Sequence, residues 1–161
     1  MGKVQASFTN GFPGAISRAV GDVVTSFVNK ESSADIAFGA PVMINSTAQG
    51  VVNFTTTIAS DADTTAQIHG IAVRTVKTPD TYGSNVASYH PGEHTDVLTA
   101  GSIVVHVASG SPKPGAKVYW TSAGFTATYT QHAVAEITNM HFKTGKDPNG
   151  NAEVLISPRI I

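Results

Sequence analysis

β-Branched residues dominate this chain and restrict the folds open to it. Val, Ile and Thr make up 48 of the 161 residues, whereas Leu occurs only as Leu98 and Leu155. β-Branched side chains fit the pleated surface of a sheet, while helical cores rely on Leu. The stretch 15–28 is the nearest to a helical pattern, but Gly21 and its many β-branched residues argue against a helix. We therefore expect an all-β protein in the form of a small β-barrel or β-sandwich.

The composition also limits the functions open to the chain. The formal net charge is −1 and only 13% of residues are charged, without a basic stripe, so we expect no binding to nucleic acid. The absence of Cys excludes disulfides and Cys-ligated zinc. No apolar run approaches the length of a membrane span, and the first residues lack the apolar centre of a signal peptide, so we expect synthesis in a cytoplasm and no membrane contact. Few charges and many Ser and Thr suit extensive contact with other proteins.

The first residues differ from the rest of the chain. The segment from Asn10 to Gly14 contains Gly11 and Pro13-Gly14, which interrupt regular structure. Phe8 and Phe12 are the only large apolar groups near it. We predict an extended N-terminal arm over residues 1–19 and a single β domain over residues 20–161.

Several strands can be placed from alternation and turn residues. Residues 68–77 alternate well, with Ile71 and Val73 on one face, and predict one strand. Residues 96–108 predict a hairpin that turns at Ala100-Gly101. Asp147-Pro148-Asn149-Gly150 is a strong turn sequence between two further strands.

A short pattern occurs twice. The first copy starts at Gly39-Ala40-Pro41-Val42 and the second at Gly115-Ala116-Lys117-Val118, and in each a short strand is followed by a polar turn, a Gly and a return strand. We interpret the pattern as one hairpin corner used twice to build a small barrel.

The segment His90-Pro91-Gly92-Glu93-His94 matches an inverted zinc-protease signature as a string. That chemistry requires both His side chains on one face of a helix. Pro91-Gly92 in the centre disfavours the helix, so we interpret the segment as a tight turn that enters a strand.

No other motif indicates catalysis or a cofactor. The chain lacks nucleophile elbows and phosphate-binding glycine loops. Asp61-Ala62-Asp63 resembles the opening of a calcium loop, but Thr65 and Ala66 stand where a further ligand and Gly are required, so we interpret it as a solvated loop. We predict a protein that is not an enzyme, with no catalytic residue, no cofactor and no metal.

The order of these segments resembles that of capsid cement (decoration) proteins of tailed bacteriophages. The likeness covers most of the chain, although each motif alone is short. One departure is Ala40-Pro41, where the family often has a basic residue after Phe-Gly. The segments that carry the resemblance are Phe12-Pro13-Gly14, Glu31 to Val42, Gly70 to Arg74, Tyr89 to Glu93, Val97 to Val105, Pro114 to Tyr119 and Asn151 to Ile156.

The resemblance implies a structural virion protein that binds the outer surface of an assembled phage capsid and stabilises it. Its partner would be the major capsid protein, and homotrimers are common among such proteins. The arm is then the first candidate for contact with a neighbour, through Phe8, Phe12 and Pro13, with Arg18 placed to pair with a shell carboxylate. The alternative is an arm that packs on its own domain and a solvated Arg18.

Two other functions remain open at this point. A β-sandwich carbohydrate- or receptor-binding module of a virion or cell surface would present several exposed rings. Aromatic residues are only 7% of the chain, and Trp120, which faces away from its neighbour Tyr119 in a strand, is expected in the core. A metal-dependent hydrolase built around His90 and His94 is the third possibility.

Overall fold

The computed structural model describes residues 9–17, 21–77 and 87–158. The described residues contain strands and turns and no helix, which confirms the all-β prediction. The strands are β1 (Val23–Val28), β2 (Ile36–Ala37), β3 (Pro41–Asn45), β4 (Gly50–Asn53), β5 (Thr64–Ala66), β6 (Gly70–Ala72), β7 (Ser88–Tyr89), β8 (His94–Ser109), β9 (Lys117–Thr121), β10 (Gly124–Thr126), β11 (Ala135–Phe142) and β12 (Asn151–Ile156).

Five strands close into a barrel. Around the ring, β8 pairs with β12, β12 with β11, β11 with β9, β9 with β10, and β10 returns to β8 in parallel. The interior is filled by alternate side chains of these strands, because closure turns one face of every strand inward. Members of this core include Ile103, Val105, Val107, Val118, Phe125, Ile137 and Val154.

A second sheet grows from the other half of β8. There β8 pairs with β1 on one edge and with β6 on the other, and β6 continues through β3 to β4. One face of this second sheet covers a smaller core that contains Val42, Ala72 and Val97. The short β2–β7 pair lies over this core with Ile36 and Tyr89, and the buried Tyr89 hydroxyl donates to the Val73 carbonyl at 2.7 Å.

The predicted hairpin at residues 96–108 is wrong, because this segment is part of one strand of 16 residues. Gly101, at the expected turn, has φ of +121° and bends the strand without reversing it. The Asp22 carboxylate lies against Gly101 and accepts a hydrogen bond from the Ser102 amide at 3.2 Å. The strand predicted over residues 68–77 is shorter than expected and covers only Gly70–Ala72. After it, the Val73 amide donates to the Asp96 carbonyl of β8 and the Arg74 amide donates to the Gly14 carbonyl.

The repeated Gly-Ala pattern does form the same corner twice. Gly39 has φ of +79° and Gly115 has φ of +81°, a conformation that favours glycine. The Gly39 amide donates to the Ala72 carbonyl and the Ala72 amide to the Ala40 carbonyl. The second corner repeats this reciprocal pair between Gly115, Ala116 and Phe142, and each corner leads into an antiparallel hairpin, β3–β4 or β9–β10. The same corner therefore precedes one hairpin of the second sheet and one hairpin of the barrel.

Gly70 provides a test of the packing between β6 and β8. A methyl carbon at this position would lie 2.3 Å from the Leu98 carbonyl oxygen and 2.5 Å from Val97 Cγ1. We expect Gly70→Ala to destabilise the protein by about 1–3 kcal/mol, as overpacking does. The melting temperature should then fall by about 2–4 °C for each kcal/mol in a chain of this size.

Gly145→Ala is the matched control. Its added methyl carbon would meet only the Pro112 carbonyl oxygen at 3.6 Å, an ordinary contact. Equal melting temperatures for the two variants would show that β6 and β8 do not pack this closely in solution.

Candidate functional site

Residues 14–17 lie along an edge of β8. The Gly14 amide donates to the Val104 carbonyl at 2.8 Å, the Val104 amide donates to the Ala15 carbonyl at 2.9 Å, and the Ser17 amide donates to the Ser102 carbonyl at 2.9 Å. This segment and β1 thus lie along successive parts of β8, on the edge that does not pair with β12. Residues 14–17 therefore pack on the β domain of their own chain.

Two asparagines, Asn10 and Asn151, link residues 10 and 11, which precede this segment, to the turn before β12. The main-chain N–H of Asn10 donates to Asp147 Oδ2 at 2.8 Å, and its side-chain Nδ2 donates to the Asn151 carbonyl at 2.8 Å. In return, Asn151 Nδ2 donates to the Gly11 carbonyl at 2.8 Å. Asp147 also closes its own predicted turn, since the Gly150 amide donates to its carbonyl at 3.0 Å. The asparagine side chains form hydrogen bonds with main-chain carbonyls that a neighbouring strand would otherwise form. Of these contacts, only the Asp147–Gly150 turn could be predicted from the sequence.

Phe12 and Pro13 lie at the surface above the Gly39 corner. The Phe12 side chain is 38% exposed, and the Arg74 guanidinium lies 4.6 Å from its ring centre and 5.8 Å from that of Phe38. A methyl carbon at Gly39 would be 2.8 Å from Pro13 Cβ, so the corner leaves just enough room for the proline. Both residues are held by their own domain and remain partly exposed. Phe8 and Arg18 lie outside the described residues.

Arg74 was not singled out by the sequence, although it holds Phe12 in place. Cation–π contacts between an Arg and two rings require three separate segments to meet. The positions of Phe12, Phe38 and Arg74 in the sequence follow no pattern from which this contact could be predicted.

The His90–His94 segment is a turn that enters β8, as predicted. Gly92 has φ of +83°, and the Glu93 amide donates to the His90 carbonyl at 3.0 Å. His90 Nδ1 lies 2.8 Å from Asp35 Oδ1, while His94 is the exposed first residue of β8. No group of three or more His, Asp or Glu side chains suited to a metal occurs in the described part of the chain.

A network of exposed charges surrounds this turn. Asp35 Oδ2 accepts a hydrogen bond from the Ser88 hydroxyl at 2.7 Å, and Lys77 Nζ lies 2.6 Å from Glu93 Oε2. The hydrogen bond from His90 and then that from Ser88 lower the pKa of Asp35, and the hydrogen bond from Lys77 lowers the pKa of Glu93. These contacts link β2, β7 and the start of β8, so they fix the cover of the smaller core rather than form a reactive centre.

The aromatic residues that the structure describes do not form a platform for a sugar. Trp120 contacts Phe54 and Phe125 edge-on, at centroid distances of 5.9 and 5.0 Å, and packs against the barrel core as predicted. Tyr129 is 49% exposed, but its hydroxyl is bound to the Asp63 carboxylate and its ring is tilted against Tyr119. The residues at the surface therefore do not favour a carbohydrate-binding module.

Within residues 9–17, 21–77 and 87–158, no helix has the length and apolarity to cross a membrane.

Two of three comparisons relate the chain to known proteins. The model of a family described as structural cement protein (E217 gp24/Pam3 gp6) matches residues 2–157. A chain in a solved structure titled "The capsid of Myoviridae Phage XM1" is similar with a TM-score of 0.65 and 19% sequence identity, over 95% of this chain and 94% of that chain. At this identity the structural likeness shows a shared fold. Among curated proteins, none matches.

The Asn10 contacts predict how firmly residues 10–17 are held. We expect Asn10→Ala to remove the two hydrogen bonds that Asn10 Nδ2 donates, to the Asn151 carbonyl at 2.8 Å and to the Gly145 carbonyl at 3.1 Å. Each is worth about 0.5–1.5 kcal/mol. The Gly14 amide should then exchange with deuterium several-fold faster, with little change in global melting. The exposed neighbour Thr9→Ala should leave exchange unchanged. An unaltered Gly14 rate in Asn10→Ala would show that Asn10 does not hold the segment.

The charge network predicts a dependence on acid. A carboxyl with a lowered folded-state pKa stabilises the fold above its unfolded-state pKa, and this contribution disappears as the pH falls through the folded-state value. For Asp35 and Glu93 the loss therefore falls below about pH 4. We expect Asp35→Asn with Glu93→Gln to be slightly less stable at pH 6 and to lose less stability between pH 6 and pH 3.

Urea unfolding at both pH values measures this difference. Since both carboxyls are exposed, the effect should be small and weaker at high salt. An acid loss as large in the double variant as in the parent would contradict the assignment.

Proposed function

The chain belongs to the family of phage structural cement proteins, and from this membership we propose that it binds the outer surface of an assembled shell through the major capsid protein. Its role is structural, as a virion protein that stabilises a phage capsid. The observation that carries this conclusion is the match of the family model over residues 2–157, nearly the whole chain.

The physical properties of the domain support this role. The five strands of the barrel leave no free edge among themselves, and the chain holds no Cys for disulfides, so the closed sheet itself keeps the shape of the surface offered to a partner. A stable protein contact buries about 800 Å² on each side. Binding to the assembled shell and not to free subunits stabilises the shell by mass action. The role needs no catalytic step, cofactor or metal, and we propose that the protein is not an enzyme.

We further propose a homotrimer as the binding unit. Three copies related by a threefold axis repeat the same contact three times, so the avidity of the trimer exceeds the affinity of one copy. Synthesis in the host cytoplasm, followed by addition to the assembled shell, is the corresponding route to the virion.

The arm, residues 1–19, is the proposed contact with a neighbouring subunit. The exposed part of Phe12 and the adjoining Pro13 are held in place above the Gly39 corner, so a partner would meet them already ordered. Phe8 and Arg18 belong to the same proposal, Phe8 as an apolar anchor and Arg18 as a partner for a shell carboxylate.

Adding purified protein to expanded shells that lack it tests the proposal. We expect co-sedimentation, a higher melting temperature of the shells by calorimetry, and a trimer mass by analytical ultracentrifugation. Phe12→Ala should weaken shell binding about tenfold or more, as the loss of one buried anchor does.

Tyr129→Ala is the control for Phe12→Ala, because Tyr129 is a similarly exposed ring on the loop after β10. Equal binding by the two variants would contradict the arm contact. Parent protein that neither sediments with shells nor raises their melting temperature would contradict the role itself.

A further inference from the structure

β1 is an edge strand with an open side. Among the described strands, β1 pairs with β8 alone, and beyond it only the bridge between Asn29 and Val51 reaches β4. Val23 is 49% exposed and Val24 is 44% exposed, and neighbouring residues of a strand point to opposite faces. Thr25 and Ser26 are exposed as well. Within the described residues, the side chains on both faces of the first part of β1 are thus exposed, and no strand pairs with one of its edges.

The hydrogen-bond pattern identifies which main-chain groups face this open side. The Asn29 amide donates to the Glu93 carbonyl and the Gly92 amide donates to the Asn29 carbonyl, so the main chain of Asn29 faces β8. Directions alternate along an antiparallel strand, so Val24 and Ser26 direct their N–H and C=O groups away from β8. At Lys30, in the same phase, the outward amide donates to the Val51 carbonyl at 2.8 Å. No described strand supplies an acceptor of this kind beside Val24 and Ser26.

The sequence of β1 lacks the charged residues, prolines and central bulges that protect the edge strands of other proteins from further pairing. Val23–Val28 reads VVTSFV, without charge or Pro, and its one irregularity lies between Val23 and Val24 at the end of the strand. Edge strands of native proteins are usually blunted by charges, Pro or central bulges, because an unprotected edge adds further strands.

We propose that this edge binds an extended segment of the phage shell protein, which adds to the sheet as a strand beside Val24–Ser26. This proposal rests on the proposed function and specifies one contact through which the cement role is performed. Main-chain groups of the segment would bond to Val24 and Ser26, and small apolar side chains would cover Val23 and Val24, the usual basis of strand addition.

Charge distinguishes this occupant from a second copy of the chain. The residues that flank the edge, 21–31 and 93–100, contain four acidic residues, Asp22, Glu31, Glu93 and Asp96, and one basic residue, Lys30. Lys77 pairs with Glu93, and the remaining three acidic residues and one basic residue leave a net negative charge. Pairing of two β1 strands would bring two acidic sets together, which opposes association. A shell segment with Lys or Arg beside its apolar residues is the complementary partner.

Hydrogen exchange on shell-bound protein tests the proposal. In the free protein the Val24 and Ser26 amides should exchange rapidly, and binding to shells should slow both at least tenfold. The amides of Thr25 and Phe27, which face β8, should already be protected in the free protein and serve as internal controls.

Val24→Pro gives a second test, since Pro is tolerated at an edge position whose N–H faces solvent. This variant should keep the parent's circular dichroism and bind shells at least tenfold more weakly, while Val24→Thr, which retains the amide, should lose less. If Val24→Pro does not fold, the exchange measurement alone decides.

The outcomes separate this inference from the proposed function. Shell binding with rapid exchange at Val24 and Ser26 overturns strand addition and leaves the cement role intact. Protection of the same amides in the free protein at high concentration, with no further effect of shells, assigns the edge to a second copy and also overturns it. Parent protein that does not bind shells contradicts the proposed function first.

Discussion

The structure depends on the continuity of β8 through its bend at Gly101. The first half of this strand supports β1 and β6, and the second half supports β12, β10 and the segment 14–17. Two sheets can share a strand only if its hydrogen bonds continue while its direction changes. A glycine with φ of +121° and a carboxylate from Asp22 on the neighbouring amide meet both requirements. Closure of the barrel and coverage of the smaller core both follow from this one strand.

Polar groups inside the protein act mainly as substitutes for the main chain. Buried Asn139 binds both the amide and the carbonyl of Ile68, and buried Asn29 donates to the Tyr89 carbonyl. Asn151 binds the carbonyl of Gly11 in the same manner. Short strands leave many backbone groups unpaired at their ends, and buried groups of this kind must find partners. A protein whose role is to keep its shape gains from each such bond, because fixed loops lose little entropy when they bind.

Family and physics lead to the same type of function. A cement protein works through complementary surfaces, and the described part of the chain presents a stiff body with two kinds of accessible surface. One is the arm segment with Phe12, held under Arg74, and the other is the open edge of β1. The first would supply side-chain anchors and the second main-chain bonds. Their contributions to binding are therefore separable by substitution.

The sequence by itself determined the all-β class, the repeated Gly-Ala corner, the turns at Pro91-Gly92 and at Asp147–Gly150, and the family. These features depend on local properties: β-branched propensity, φ values open to glycine, and hydrogen bonds within a few residues. Only the tertiary structure decided that Ala100-Gly101 bends a continuous strand, that Arg74 meets Phe12, and that no described strand pairs with the outer side of β1. Each of these depends on contacts between distant segments, since a Gly in a strand is compatible with a turn or a bend until neighbouring strands supply hydrogen bonds on both sides.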